Sequence, residues 1–333
     1  MHAVLVSARP LPDSVARRLV AVAAGRDAGD GFSGTRSVLM HLPEPLPGGI
    51  HTLKLKGVGY CRDGKRVPPQ MRDYLDGPGR PFMAISVARD GRITARRAPA
   101  RPVGGMLYAG ARNEYLMTRA AAAGVPVVLP VACGEYPRLR FRGRRIGFVV
   151  LGLPGRHDCR LGEEWLHLLN HAAAARAPAR AHAALLPRLR RDIATSGQLL
   201  RQLHAAGFVN SATNLSNICG NEGGWRLCDL DLLRRTRGMT GAQELGWRLK
   251  DYYVLALSLA RRACVPYLRR YRHRLLDDFG RAYFGPGYVP GRLLLLDHLR
   301  AREVLTGGAP LRMAGLLVQL LRAAVAADRR TLS

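Results

Sequence analysis

The sequence predicts an α+β protein of two unequal lobes, small and strand-rich at the front, larger and helical behind. Three observations carry this. Apolar runs alternating with period two dominate residues 1–150, as half-buried strands do. Helical patterning dominates residues 151–333. Between them, the apolar strand at 144–155 runs into a Gly/Pro loop, the kind of join that separates lobes.

Residues 1–28 read as a short strand and a helix. Gly29, Gly31 and Gly34 form a flexible turn before a strand at Ser37–Leu42, and PEPLPGG (43–49) is a loop. The run from Ile50 to Gly57 alternates, with Leu53 and Leu55 on one face and Lys54 and Lys56 on the other. Residues 58–104 are rich in Pro, Gly and Arg, and 82–97 read as a hairpin turning at Asp90-Gly91. A helix at 111–124 ends on Gly124, and VPVVLPVACGEY outlines a strand pair. Helices follow at 185–206 and 242–263, with a polar loop at 207–219 and a short strand ending in acids at 225–233 between them. Helical segments continue to residue 333.

With 333 residues, 47% of them apolar, the chain has ample material for a core. No run approaches the length of apolar residues that spans a bilayer. The N-terminus lacks the basic flank of a signal peptide, and the six cysteines form no CxxC pair. A cytoplasmic protein is the expectation. Only four of the 52 basic residues are lysine, and the net charge is +28. The surplus predicts attraction to polyanions: RNA, an acidic protein or a phosphorylated substrate. Against that arginine background, two lysines in one strand suggest a task that needs a compact ammonium. Lys56 is the preferred candidate and Lys54 its rival.

Five features occur in order: the glycine turn, the lysine strand, a helix carrying Glu114, a polar loop ending at Asn217, and a strand ending at Asp229. Kinase-type proteins hold a nucleotide this way. Turn amides cover the phosphates, a lysine neutralises them, a glutamate holds the lysine, and Asn and Asp oxygens hold the metal. LHAAGFVNSATNLSNIC followed by LCDLD resembles the catalytic and metal loops of the protein-kinase-like superfamily. Two branches are similar. The bacterial lipopolysaccharide kinases carry Leu-His before the loop and an Asp-Leu-Asp metal motif. The selenoprotein-O family of protein adenylyltransferases has a lysine strand like Leu55-Lys56-Gly57-Val58-Gly59 and a helix like Glu114-Tyr115-Leu116 leading to Gly124-Val125-Pro126. It also has asparagines where Asn214 and Asn217 stand.

The resemblance covers residues 29–260 in short islands. It implies a bilobal kinase-like fold with ATP and Mg2+ as cofactors. Lys56 would contact the phosphates and Glu114 would hold it. Asn217 and Asp229 would ligate the metal, with Asp231 assisting or shaping the loop. Residues 1–28 become an N-terminal extension, 29–150 the small lobe and 151–333 the helical lobe. The 58 positions between Lys56 and Glu114 imply an insertion near 60–105.

The loop departs from the pattern. The catalytic base would fall at Ala212 in the kinase register and at Ser216 in the adenylyltransferase register, and no carboxylate lies between Asp192 and Glu222. A general base needs a tunable carboxylate or imidazole within reach. Asp251, on a mostly apolar helix, reads as a structural aspartate bonding the loop's backbone. The expected function is therefore an atypical phosphoryl or adenylyl transferase lacking the usual Asp. A catalytically inactive pseudokinase scaffold and a basic nucleic-acid-binding protein stay open as alternatives. If the charge serves polyanion binding, affinity for a random RNA should fall on the order of a thousandfold between about 50 and 200 mM salt. Filter binding that shows negligible affinity at about 50 mM, or no salt dependence, would reduce the charge to a surface property.

Overall fold

Buried strands at the front of the chain pair into one antiparallel sheet in the computed structural model. It describes residues 1–33, 36–74, 83–97, 100–155, 159–163, 179–210, 213–221, 224–262, 271–285 and 288. The strands are β1 (Val4–Ala8), β2 (Gly31–Ser33), β3 (Ser37–Leu46), β4 (Ile50–Lys56), β5 (Tyr60–Arg62), β6 (Lys65–Val67), β7 (Gln70–Asp73), β8 (Met83–Val87), β9 (Ile93–Arg97), β10 (Pro102–Val103), β11 (Met106–Leu107), β12 (Leu129–Phe141), β13 (Arg144–Leu153), β14 (Cys159–Arg160), β15 (Phe208–Asn210), β16 (Ile218–Asn221), β17 (Gly224–Leu227) and β18 (Leu233–Arg235). The helices are α1 (Asp13–Ala24), α2 (Tyr108–Ala121), α3 (Ala179–Ala205), α4 (Gly241–Arg262) and α5 (Arg272–Phe284). The main sheet runs β1-β12-β13-β4-β3-β2, with β11 also pairing β13.

Both faces of this sheet are covered, which is why β13 reads as a nearly unbroken apolar run. On one face Leu53 and Leu55 of β4 join Val150 and Phe148 of β13, all fully buried, against Leu19 and Val22 of α1. On the other, Leu39, Val149 and Leu151 pack with Ala111 and Tyr115 of α2. Buried positions 111, 114, 115, 118 and 121 make α2's inner stripe, the spacing of a helix laid on a sheet. Residues 1–28 contribute directly: β1 pairs antiparallel with β12, and α1 closes the core.

VPVVLPVACGEY, which outlines two strands in the sequence, enters one 13-residue strand, β12. Pro130 and Gly134 suggested breaks and make none. The register shifts between Pro130 and Ala132, a bulge that accommodates the proline. Gly134 is small because a Cβ there would lie 2.3 Å from the Phe148 ring and 2.4 Å from the Val4 carbonyl oxygen. Likewise β3 extends through Pro43 and Pro45 to Leu46, shortening the expected loop to a turn before Ile50. The hairpin expected at 82–97 is β8–β9, with Val87 facing Ile93.

The segment from 58 to 105 leaves and returns at one point. Val58 bridges Gly105, and the Gly59 amide donates to the Gly104 carbonyl at 3.0 Å. Gly57, at φ +86°, makes the exit possible, because a Cβ there would lie 2.7 Å from Met106 Cβ. The β8–β9 hairpin then reaches the helical half: Gln243 donates to the Val87 carbonyl at 3.1 Å, and Val87 packs with Val209 and Trp247.

A second core gathers α3, α4 and α5 around Leu200, Leu255, Leu276 and Phe279. The bidentate Arg190–Asp278 pair, at 2.6 and 3.0 Å, clamps α3 to α5. The two halves join through a parallel bridge between Val127 and Leu227, with reciprocal bonds of 2.9 Å. No described helix is long and apolar enough to cross a membrane. The helical segments expected after 290, and Trp165, lie outside the described residues. Leu19, fully buried in α1, gives a test of how far residues 1–28 belong to the fold: Leu19→Ala should cost about 2–5 kcal/mol in urea unfolding. A change within about 0.5 kcal/mol would make α1 an appendage.

Candidate functional site

The β ladder, α2 and the bridge to β17 converge on three charged side chains. Lys56 closes β4, facing Ser37 of β3 on one side and Val149 of β13 on the other. Alternation then puts Lys56 and Lys54 on the face that α2 covers. Glu114 projects from α2's inner stripe. Its carboxylate accepts from Lys56 Nζ at 2.9 Å (Oε1) and 2.8 Å (Oε2), so the insertion does not prevent the pairing. The same ammonium donates to Asp229 Oδ1 across the cleft. Glu114 is fully buried, whereas the side chains of Lys56 and Asp229 keep 15% and 32% exposure. Solvent and solutes therefore reach the ion triple from the Asp229 side.

Burial works against the Lys56 ammonium, but Asp229, Glu114 and Asp231 more than reverse it and hold its pKa above the ordinary lysine value. The Lys56 charge holds the Asp229 carboxyl well below the usual carboxylate range despite burial. Burial pushes Glu114 up to about 7 against the pull of Lys56. Asp231 is raised as well, chiefly by burial and by Asp229, with Lys56, Arg101 and Arg36 opposing. Lys54 is buried, and its charge reaches Asp229 and the neighbouring Cys228.

The loop beneath is shaped by hydrogen bonds rather than by an acid–base pair. Asp251 Oδ2 accepts from the Asn210 amide at 2.6 Å, so this buried aspartate holds backbone. Asn214 begins a short 3-10 turn by accepting from the Ser216 amide at 2.8 Å. Asn217 is buried, and its carbonyl accepts from the Cys228 amide at 2.9 Å, placing it beside Asp229. Arg160 donates to the Ser216 carbonyl at 2.6 Å and contacts Cys228 Sγ at 3.1 Å. His204, the nearest imidazole along the chain, is buried and lies between Tyr283 OH at 2.6 Å and Asp251 Oδ2 at 3.3 Å. Burial lowers its pKa, so at neutral pH it is an uncharged structural link. Ala212 lies outside the described residues.

Asp229 holds φ +61°, a left-handed conformation rare outside glycine. A sheet with Lys56 at the end of an inner strand, a helix glutamate gripping that lysine, and an aspartate rising from the opposite half together decide the architecture. The fold is protein-kinase-like. No family model matches the chain, and no curated protein does. Among solved structures the chain is similar to WaaP in complex with acyl carrier protein, at 21% identity over 77% of this chain and 99% of that one, with TM-score 0.36. It is similar to a glucosamine kinase at 14% identity over 94% and 96%, TM-score 0.35. It is also similar to ROP2 from Toxoplasma gondii, described as having a protein-kinase fold and no enzymatic activity, at 16% over 93% and 91%, TM-score 0.37. At these scores the likenesses carry no argument; the ion triple does.

Within this kinase-like frame the structure gathers Lys54, Lys56, Glu114, Asn217, Asp229 and Asp231 around one cleft. Gly31 opens β2. Gly29 packs along β3, a Cβ there falling 2.8 Å from the Leu39 carbonyl oxygen, and its amide already donates to Asp27. Gly34 lies outside the described residues. Sequence reasoning passed over Arg36, Arg101 and Arg160, whose charges act on Asp229 or Asp231; arginine carries no signal in a chain with 52 basic residues of which four are lysine. Among the described residues no three His, Cys, Asp or Glu cluster as a metal cage. Mg2+ needs none, since it binds through one or two carboxylates, waters and substrate phosphates. Ionised Asp229, partly exposed beside Asn217, fits that requirement.

Removing the central cation should expose its importance. Lys56→Met leaves a buried Glu114 unpaired and should cost about 3–5 kcal/mol at neutral pH. Glu114 would then titrate above its present value of about 7, compared with 4.5 in an ordinary setting. A raised carboxyl weakens the fold as pH climbs from the ordinary value to the folded one, and that cost vanishes below both. Urea unfolding should therefore show a smaller deficit at about pH 5 than at about pH 8. A deficit that is equal at both, or larger in acid, would contradict this account of Glu114.

Proposed function

We propose that this protein binds ATP with Mg2+ in the cleft and is an atypical nucleotide-dependent transferase, moving a phosphoryl or adenylyl group without the usual aspartate base. One observation carries this: a lysine held rigidly by a fully buried glutamate and directed at a partly exposed aspartate. Burying Glu114 is costly, and a merely structural lysine would not need an acid from each half of the fold. Lys56 would receive phosphate oxygens, with Glu114 fixing its position. Asp229 and Asn217 would hold the metal, Asp231 standing behind them. Bound Mg2+ would neutralise phosphate charge and align the transferred group.

The loop supports the missing-base part of the reading. Its described residues, Phe208–Asn210 and Thr213–Asn217, include no carboxylate or imidazole. Transfer through a loose transition state relies mainly on positioning and charge neutralisation, so an acceptor that is already ionised needs no base. The Lys56–Asp229 contact favours a second reading, a pseudokinase. It neutralises the two groups that a metal–nucleotide complex would engage, and binding has to exchange that contact for phosphate and metal.

Calorimetry should find ATP binding that depends on Mg2+ in the native protein. Asp229→Ala should abolish the Mg2+ dependence, and Asp231→Ala should weaken binding less. ATP labelled separately on the α- and γ-phosphates, incubated with cell extract, then separates the readings. Label from the α position marks adenylyl transfer, from the γ position phosphoryl transfer, and from neither a pseudokinase. Unchanged Mg·ATP affinity in Asp229→Ala removes the metal assignment. Robust γ-transfer to a generic hydroxyl substrate would contradict the missing base.

A further inference from the structure

Asn217 and Asp229, the two residues proposed for the metal, lie on separate segments, and one side chain ties those segments together. Arg160 ends β14, which pairs antiparallel with β16, placing Arg160 opposite Cys219. From there a single guanidinium nitrogen, Nη1, donates to the Ser216 carbonyl at 2.6 Å and to Cys228 Sγ at 3.1 Å. Ser216 immediately precedes Asn217, and Cys228 immediately precedes Asp229. The guanidinium therefore grips the chain one residue before each proposed ligand. A charged donor on a carbonyl at this distance makes one of the stronger hydrogen bonds available to a protein.

Other bonds close the same unit. The Asn217 carbonyl accepts from the Cys228 amide at 2.9 Å, and Ile218 faces Leu227 in the β16–β17 ladder. The Asn217 amide donates to the Asn214 carbonyl at 2.9 Å, and the Leu215 amide donates to Ser258 Oγ of α4 at 3.2 Å. These bonds set the backbone around Asn217. Arg160 adds a side-chain tie from a third strand that reaches both segments at once. Its charge has the wrong sign for a metal site. It acts on Asp229, where a cation opposes the arrival of a metal ion. A contribution of Arg160 to metal binding has to come through geometry.

We infer that Arg160 is a positioning residue for metal selectivity: by bridging Ser216 and Cys228 it fixes the spacing of Asn217 and Asp229, and so makes the site prefer Mg2+ to Ca2+. This deepens the nucleotide reading above and rests on it. Mg2+ demands near-octahedral geometry at about 2.0–2.1 Å, whereas Ca2+ accepts irregular shells at about 2.3–2.6 Å. Ligands held at a set spacing favour the smaller ion, and ligands allowed to drift lose it first. Residues that orient a metal's ligands without touching the metal typically change its affinity about 10–100-fold.

Calorimetry on the full chain measures ATP affinity with Mg2+, with Ca2+ and with neither, and urea unfolding checks that each variant folds. The native protein should bind Mg·ATP more tightly than Ca·ATP or metal-free ATP. Arg160→Met should cut the gain from Mg2+ by about tenfold or more and the gain from Ca2+ by less than about threefold. Arg160→Lys, which keeps the charge and one donor nitrogen on a shorter stem, should recover part of the preference. Cys228→Ala removes only the sulfur acceptor and should lower the preference severalfold, which decides the matter if Arg160→Met does not fold. Charge alone predicts the opposite sign, because losing a cation beside Asp229 would strengthen both metals alike. Folded variants in which both metals gain, both lose in parallel or neither changes overturn the role of Arg160 and leave the nucleotide reading standing. Native protein that binds Mg·ATP and Ca·ATP equally does the same. Native protein in which neither metal raises ATP affinity removes that reading and this inference with it.

Discussion

The buried carboxylate of Glu114 is the constraint around which this molecule is arranged. An ionised side chain with no solvent exposure needs a cation in direct contact, or it takes a proton instead. Lys56 supplies that cation from another element, 58 positions earlier. Its strand therefore has to end at the right height on α2, which fixes the β3–β4–β13 register. The ammonium carries more acid than one charge balances, since Asp229 meets it from the other half of the fold. The Val127–Leu227 bridge and the bond from Asn113 to the Asp231 carbonyl set that approach. Thus one ion triple couples strand register, helix position and the seating of the two halves.

The charge around Asp229 and Asp231 bears on the proposed transfer without a base. The charges of Lys56, Lys54 and Arg160 act on Asp229, and those of Lys56, Arg101 and Arg36 on Asp231. Burial raises the pKa of Asp231 and lifts that of Glu114 to about 7. On the proposed reading, such a site would favour polyanions before any metal arrives. A new carboxylate in the loop would oppose phosphate binding there. The loop has instead committed its polar groups to its own backbone: Asp251 to Asn210, Asn214 to Ser216, and the Asn217 carbonyl to Cys228. On the proposed reading, rigidity and cationic charge take the place of a proton acceptor.

The parts legible in the sequence were those with a local reason. Alternation in IHTLKLKG put Lys54 and Lys56 on one face, and the ladder keeps them there. Asp251 read as a backbone-holding aspartate because a lone acid on an apolar helix needs a donor, and Asn210 provides it. The α+β class followed from the two periodicities. What failed to show were features set by packing between distant segments. Pro130 and Gly134 looked like punctuation, yet a bulge absorbs one and the Phe148 ring requires the other. Gly29 looked like part of a phosphate turn, but its place beside Leu39 and its bond to Asp27 explain it. Arg160 reaches Ser216 and Cys228 from a third stretch, so no window of sequence contains the bridge.

The segment from 58 to 105 shows how a fold tolerates a long stretch between two residues that touch. Closing a loop costs entropy only as the logarithm of its length, about 0.6 kcal/mol per doubling, provided that its ends meet without strain. Here they meet at the base of the sheet: Val58 bridges Gly105, and Gly57 turns the chain so tightly that Met106 fills the space a Cβ would need. From Met106 the chain enters β11 on β13 and then α2, so Glu114 arrives where a short connection would have delivered it. The segment thus leaves the ion triple undisturbed. Its own strands are then free to project elsewhere, β8–β9 onto Val209 and Trp247 and the β7–β10 ladder beside Arg36. The Lys56–Glu114 pair holds the frame together, while the strands between them pack against other parts of the fold.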